Sequence, residues 1–324
     1  MSETVASLSL VVDVGGTNTR VALSQAGKVR MDSIKRFRNA DYAGLELVLK
    51  DYLADRIDLH IQAACVAIAG PVRDGKGSLT NRNWHMTEAS IGEATGAPHV
   101  ALLNDLQAQG YALDHVAEDD LLQVRAGPQA PADAAKLAVN LGTGFNASPV
   151  FFTPAGPFVA TSESGHANMP VREAKDARLC AFVEARHGFA AIDDILSGRG
   201  LEHVYAFLSC EAGQNKALSS AEIIAACTDG SDPVAVETVH YFVRLTAMVM
   251  GNLALVQLPF GGIYLVGGLS SAIAPFLEAA GFEAAFRDKG RFAGFMDEFA
   301  IHVVQDDYAA LKGMAAYLES RLGD

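Results

Sequence analysis

An apolar run that breaks at a Gly/Thr turn and resumes at once occurs twice in this chain, and the repetition restricts the fold more than any other feature. Leu8 to Val14 is rich in β-branched residues, Gly15-Gly16-Thr17-Asn18 follows, and Val21 to Leu23 is apolar again. The pattern is strand, tight turn, strand: a hairpin, not a strand-to-helix turn. Leu137 to Leu141, Gly142-Thr143-Gly144 and the apolar run reaching Phe152 repeat it. Two such units, one in each half, predict a duplicated architecture holding one phosphorylated ligand from two sides.

The chemistry of the first turn fits that expectation. Adjacent glycines permit positive φ and the close approach of an anion, while Thr17 and Asn18 add side-chain donors beside backbone N–H groups. Asp13 ends a buried strand, where a carboxylate is costly without a cation or donors, and a metal bound to nucleotide phosphates would satisfy it. Taken alone, the turn is equally consistent with glycines that only form a hairpin and with Asp13 at the surface. Neither Gly-x-x-x-x-Gly-Lys-Ser/Thr nor Gly-x-Gly-x-x-Gly occurs at this strand end.

With 324 residues, the chain has length for about two domains, and an apolar fraction of 50% supplies their cores. A formal net charge of −13 argues against a nucleic-acid surface and favours a freely diffusing protein with small-molecule chemistry. Cys65, Cys180, Cys210 and Cys227 have no Cys-x-x-Cys or Cys-x-Cys spacing, so neither a zinc nor a disulfide framework is expected and a reducing cytoplasm fits. The Met-Ser-Glu-Thr-Val-Ala-Ser start lacks a basic region and a long apolar core, and no apolar run is expected to reach membrane-spanning length.

Along the chain, helix and strand alternate. Tyr42 to His60 has helical spacing at Leu45, Val48, Leu49, Tyr52, Leu53 and Ile57, and Ala63 to Ala69 reads as a buried strand closed by Gly70-Pro71. Trp84, the only tryptophan, is expected to anchor the core. Val100 to Leu103 is a strand ending in Asn104-Asp105 before a helix over 106–113. A carboxylate at the carboxyl end of a strand is where α/β folds place chemistry, although Asp is also a favoured helix cap. Gly127 to Ala135 is a loop. Thr161 to His166 holds Glu163 and His166 three apart in a polar, glycine-containing segment, and no Gly-x-Ser-x-Gly elbow is present. Helices are expected over 177–186, from Ile195 onward, over 233–256, near 272–280 and over 308–322, with strands at 263–266 and 301–304. Gly267-Gly268, between strand and helix, suits either a nucleobase lying on the backbone or close strand–helix packing.

The ordered set Asp-x-Gly-Gly-Thr-Asn, Asn-Asp, Gly-Thr-Gly, Glu-x-Gly-His and Gly-Gly resembles the bacterial glucokinases of the hexokinase/actin-like ATPase superfamily. Leu79 to Trp84, Leu196 to Leu201 and Asp288 to Phe292 extend the likeness over almost the whole chain. The Cys-x-Cys-Gly-x-x-Gly-Cys signature of the related repressor/kinase branch is missing, so the resemblance is to the zinc-free group, and no N-terminal DNA-binding domain is expected. The resemblance implies an α/β, two-domain actin-like ATPase (ribonuclease H-like) fold. A small domain (1–110 with 305–324) and a larger one (111–304) would flank a cleft. It implies ATP-dependent phosphorylation of glucose at the 6-hydroxyl, with Mg²⁺, by a cytoplasmic homodimer having neither a membrane nor a nucleic-acid partner.

It also implies roles for single residues. Asp105 matches the general base; Asn104, Glu163 and His166 match hydrogen-bonding partners of the sugar. Gly15, Gly16, Thr17 and Asn18 match one phosphate loop and Gly142, Thr143 and Gly144 the other. Asp13 matches the carboxylate near magnesium, acting through water, and Gly267-Gly268 the adenosine site. Counting back from Leu196-Ser197-Gly198, the place of a second sugar-binding glutamate falls on Arg186, with Glu184 nearby. An arginine accepts no hydrogen bonds from hydroxyls, so the alternative is a kinase for a different hexose or sugar derivative, or a non-catalytic sensor of sugar or nucleotide. Asn146 stands two residues after Gly-Thr-Gly, and Ser162 and Ser164 flank Glu163, where the family has glycines. Asn tolerates left-handed φ, so the turn at Asn146 is expected to survive.

Overall fold

The computed structural model describes residues 8–322 apart from 57, 58, 80 and 81. Met1 to Ser7, Ile57 of the expected second-element helix, Thr80-Asn81 of the tryptophan motif, and Gly323-Asp324 lie outside the described residues. The chain forms two compact units, one comprising Met1–Val116, Thr153–Thr161 and Asp306–Asp324, the other Ala117–Phe152 and Ser162–Gln305.

In the first unit, β1 (Leu8–Val14) and β2 (Asn18–Gln25) form the opening hairpin, followed by β3 (Lys28–Val29) and β4 (Lys35–Arg38). Helix α1 (Leu45–Leu53) buries Leu45, Val48, Leu49 and Tyr52. It is shorter than the spacing predicts, starting after Gly44 and ending at Ala54. Strand β5 (Ile61–Ile68) is buried along almost its whole length, as expected for a strand covered on both faces. A small sheet of β6 (Val72–Arg73), β7 (Lys76–Ser78) and β8 (His85–Thr87) comes next, then α2 (Glu88–Thr95), β9 (His99–Asn104) and α3 (Asp105–Ala112). The main sheet runs β3-β2-β1-β5-β9, with β4 also on β2. β1 pairs antiparallel with β2 and parallel with β5, and β5 pairs parallel with β9. Trp84 lies in the core of this unit.

The second unit repeats that order. β10 (Leu121–Arg125), β11 (Lys136–Leu141) and β12 (Phe145–Thr153) lead into it, and β13 (Gly156–Val159) belongs to the first unit. Helices α4 (Ala174–His187), α5 (Gly198–Glu211), α6 (Ser220–Asp229) and α7 (Pro233–Gln257) precede β14 (Ile263–Val266), α8 (Gly268–Ile273), α9 (Phe282–Arg287) and β15 (Ile301–Val304). β11 pairs antiparallel with β12 and parallel with β14, which pairs parallel with β15. The two Gly/Thr turns therefore occupy the same topological place, each joining the antiparallel pair, β1–β2 or β11–β12, whose first strand also pairs parallel with a later strand. The expected helix over 272–280 is broken up: α8 stops at Ile273 and a 3₁₀ turn at Ala274–Phe276 contains Pro275, which cannot continue an α-helix.

Helix α7 corrects the expectation about membrane length, since it is long and apolar enough to span a membrane by length and composition. Fifteen of its residues, from Val234 to Ala254, are buried in the core of the unit instead. Asp232 caps it and Pro233 stands at its first turn. The chain ends in α10 (Ala309–Leu322), back in the first unit, on α3. Gly313 makes that contact: a Cβ there would lie 1.9 Å from the Ala108 carbonyl oxygen.

Candidate active site

In the first unit, the Gly15–Asn18 turn is anchored through its carbonyls. The fully buried Asn39 donates from Nδ2 to Gly15 O at 2.7 Å, and its backbone N–H donates to Thr17 O at 2.9 Å. Arg82 Nε reaches Gly16 O at 3.4 Å. Thr19 Oγ1 donates to Asn39 Oδ1 at 2.8 Å, which fixes the asparagine. Gly15 N donates to Asn18 O at 3.0 Å, which closes the turn. The expected positive φ is not found at Gly15 or Gly16. At Gly15 space is tight instead, because a Cβ would lie 3.3 Å from Asn18 O.

Asp13, the last residue but one of β1, stands in direct register with Arg20 of β2. Arg20 Nη1 stands 3.3 Å from Asp13 Oδ2 and the guanidinium lies 6.0 Å from the centre of the Tyr308 ring. Burial pushes the Asp13 carboxyl above its ordinary range, and Arg20 pulls it back. The cation that the sequence reading sought in a metal is therefore first of all Arg20, whose place opposite Asp13 follows from hairpin register. Among the described residues no cluster of three or more His, Cys, Asp or Glu could enclose a metal. A single carboxylate beside a glycine turn fits Mg²⁺, which keeps most of its waters and binds through one or two carboxylates plus phosphate oxygens.

Asn104 and Asp105 lie at the carboxyl end of β9. Asn104, not Asp105, is the N-cap of α3: its Oδ1 accepts from Leu106 N at 3.0 Å, and Gln107 Oε1 accepts from Asn104 N at 3.1 Å. Its Nδ2 donates to Gly70 O at 3.0 Å. Asp105 is the first helical residue, half-buried, with Oδ1 accepting from Leu106 N at 2.8 Å.

In the second unit, three loops are laced together. Gly142 N donates to Gly144 O at 3.0 Å, closing the turn, and Gly198 N donates to Gly142 O at 2.8 Å. Asp193 N donates to Gly165 O at 2.8 Å, and Asp193 Oδ1 accepts from Phe145 N at 2.6 Å. Gly165 leaves no alternative residue, since a Cβ would stand 2.0 Å from Phe145 O. On either side of it, Glu163 and His166 are both exposed, with Oε2 and Nε2 3.8 Å apart. Asn146 lies in β12 without left-handed φ. It clamps the loop by donating to Ser162 O and accepting from Ser164 N and Ser164 Oγ, both at 3.1 Å. The expected glycine-like turn at Asn146 is thus replaced by a side-chain bracket.

Asn140, absent from the sequence reading, links two further predicted elements. Its Nδ2 donates to Gly144 O at 3.4 Å, and its Oδ1 lies 2.5 Å from where a Cβ on Gly267 would be. Gly267 adopts φ 94°, so both space and conformation demand glycine. Gly268 faces open space. The Leu196–Leu201 motif caps α5: Ser197 Oγ accepts from Gly200 N at 3.0 Å and donates to Asp193 O at 2.7 Å.

Arg186 is not in this cluster. It lies exposed in the last turn of α4, with its guanidinium 3.4 Å from the centre of the Phe182 ring and Nη1 donating to Phe182 O at 2.8 Å. Glu184 is exposed on the same helix. The carboxylate that accompanies Glu163 and His166 is Asp193, paired through Oδ2 with Arg199 at 3.0 Å. Sequence spacing does not reveal it, because a loop and not a helix carries it; its place before Leu196-Ser197-Gly198 is the available signal.

A family model described as Glucokinase matches residues 10–321. The chain is 33% identical over 322 residues to the glucokinase of Pseudomonas paraeruginosa, covering 97% of this chain and 93% of that one. A crystal structure of glucokinase from an Antarctic psychrotroph superposes with a TM-score of 0.84 at 28% identity, covering 96% of this chain and 98% of that one. A ROK family glucokinase from Streptomyces griseus in complex with glucose and AMPPNP has the same fold at 17% identity, with a TM-score of 0.64 and coverage of 96% and 98%. The fold is that of the actin-like ATPases. Over essentially its whole length, this chain belongs to the glucokinase family.

Proposed function

We propose that this enzyme transfers the γ-phosphoryl group of ATP to the 6-hydroxyl of glucose, with Asp105 as the general base. The observation that supports the assignment of the base is the place of Asp105: it is the first residue of α3, at the carboxyl end of β9 and next to Asn104, which caps the helix. As the sugar O6–phosphorus bond forms and the bond from phosphorus to the ADP oxygen breaks, the O6 proton passes to the Asp105 carboxylate. Phosphoryl transfer asks mainly for positioning and charge stabilisation.

In this reading, Asn104, Glu163 and His166 hold the sugar hydroxyls, the Gly15–Asn18 and Gly142–Gly144 turns receive the phosphates on backbone N–H groups, and Gly267-Gly268 lies under the adenosine. Mg²⁺ would be held through water by Asp13 and would neutralise phosphate charge. Asp193 is a positioning residue that fixes the glycine turn and the Glu163–His166 loop together. The enzyme is expected to work in the cytoplasm as a homodimer, without a nucleic-acid or membrane partner. Arg186, stacked on Phe182, gives no reason to prefer another hexose.

Coupled measurement of ADP release over a panel of hexoses tests the reading. Glucose-dependent turnover is expected; a preference for another sugar would replace the substrate, and no sugar-dependent turnover would leave only a binding protein.

A further inference from the structure

His187, the last residue of α4, and His203, on α5, meet across the 188–197 segment. Their Nε2 atoms are 3.3 Å apart, while their ring centres are 4.7 Å apart and the ring planes are inclined by 44°. The nitrogens are thus the facing edges. His203 Nδ1 lies 2.8 Å from the carbonyl oxygen of Asp194. A carbonyl only accepts, so Nδ1 carries the proton and the neutral ring keeps its lone pair on Nε2, directed at His187. A backbone carbonyl fixing the tautomer in this way is the usual outer support of a metal-ligating histidine. Burial also lowers the pKa of His203, which keeps the ring neutral.

We propose that His187 and His203 form a binding site for one divalent transition-metal ion, such as Zn²⁺ or Ni²⁺, with water completing the coordination. Two metal–nitrogen bonds of about 2.0–2.1 Å spanning this separation meet at roughly 104–111°, close to the tetrahedral angle that Zn²⁺ adopts. Arg199, the arginine that acts on His203, is paired with Asp193 and Asp194, at 3.0 and 3.2 Å, and Arg186, next to His187 in the chain, is turned onto the Phe182 ring. Neither histidine belongs to the phosphoryl-transfer machinery. The segment they bracket, however, carries Asp193, which holds Phe145 N and Gly165 O. A bound ion closes a clasp over that segment and so acts on sugar binding; this kinetic half rests on the proposed phosphoryl-transfer reading, whereas the binding half does not.

Calorimetric titration of the full chain with ZnCl₂ and with NiCl₂, without nucleotide, tests the site. One equivalent is expected, weakening at least about tenfold in His187→Asn and in His203→Asn and fading as acid protonates the imidazoles. Cys210→Ser controls for the exposed thiol on the same helix and is expected to leave the titration unchanged. Absence of saturable binding, or one-equivalent binding that survives in the double His187→Asn/His203→Asn variant, overturns the site. In the kinetic arm, saturating Zn²⁺ is expected to change the glucose KM of the wild type and not that of His203→Asn. Equal KM values with and without Zn²⁺ in a wild type that binds the ion would overturn the coupling alone.

Discussion

Asp193 accepts the backbone N–H of Phe145 at 2.6 Å, and its own N–H donates to Gly165 O at 2.8 Å. One residue thereby joins the Gly142–Gly144 turn to the loop bearing Glu163 and His166. The fit is tight, since a Cβ on Gly144 would lie 2.9 Å from Asp193 Oδ1.

Removing that carboxylate leaves the Phe145 N–H without its acceptor and Arg199 with Asp194 as its remaining partner. Asp193→Ala is expected to lower stability by about 1–3 kcal/mol and to raise KM for both glucose and ATP. Chemical denaturation together with two-substrate kinetics checks this; a variant with wild-type stability and constants would show Asp193 to be dispensable.

Gly165→Ala forces a methyl group against Phe145 O, and neither backbone can yield without moving the loop. A drop in kcat/KM for glucose is expected, with far less effect on nucleotide binding in the absence of sugar. Nucleotide binding measured by calorimetry separates this from general unfolding, which would abolish both.

Asp105→Asn keeps the shape of the side chain and most of the first turn of α3 but removes the proton acceptor. Turnover is expected to fall by about 10²–10⁴-fold, with glucose binding still measurable by intrinsic fluorescence or calorimetry. Turnover within a few-fold of wild type would transfer the role of base elsewhere.

Asp176 is a buried carboxylate in the first turn of α4. Burial alone would raise its pKa, but the N–H groups of Arg172 and Glu173, each at 2.9 Å, with Tyr241 and Arg244, outweigh burial and hold it below the usual range. A folded pKa below the unfolded one contributes stability that is present above about pH 4 and lost as pH falls through the depressed value. Asp176→Asn is expected to flatten this acid limb of the stability profile, and Asp176→Ala to cost about 3–5 kcal/mol by removing the buried partner of Arg244 and leaving it only Glu173, at 3.6 Å. Denaturation midpoints measured across the acid range decide it, an unaltered acid limb in Asp176→Asn being the contrary result.

Much of the fold follows from local pattern. The two hairpins, strands 263–266 and 301–304, and the capped helix α7 each arise from apolar periodicity bounded by Gly, Pro or Asp, and such signals need no knowledge of what packs on them. Trp84 in the core and Asn104-Asp105 at a strand end follow in the same way. The shortened α1 and the interruption at Pro275 show where local pattern overstates an element.

Tertiary structure alone decided the rest. That Arg20 faces Asp13, that Asn140 bears on both Gly144 and Gly267, and that Asp193 rather than Arg186 stands by the Glu163–His166 loop are contacts between separate segments. Their partners are set by strand register and loop closure, and sequence spacing does not encode distance once the chain turns back on itself. What the sequence determined was the kind of site; which carboxylate, asparagine and arginine complete it depended on where the folded backbone brought them.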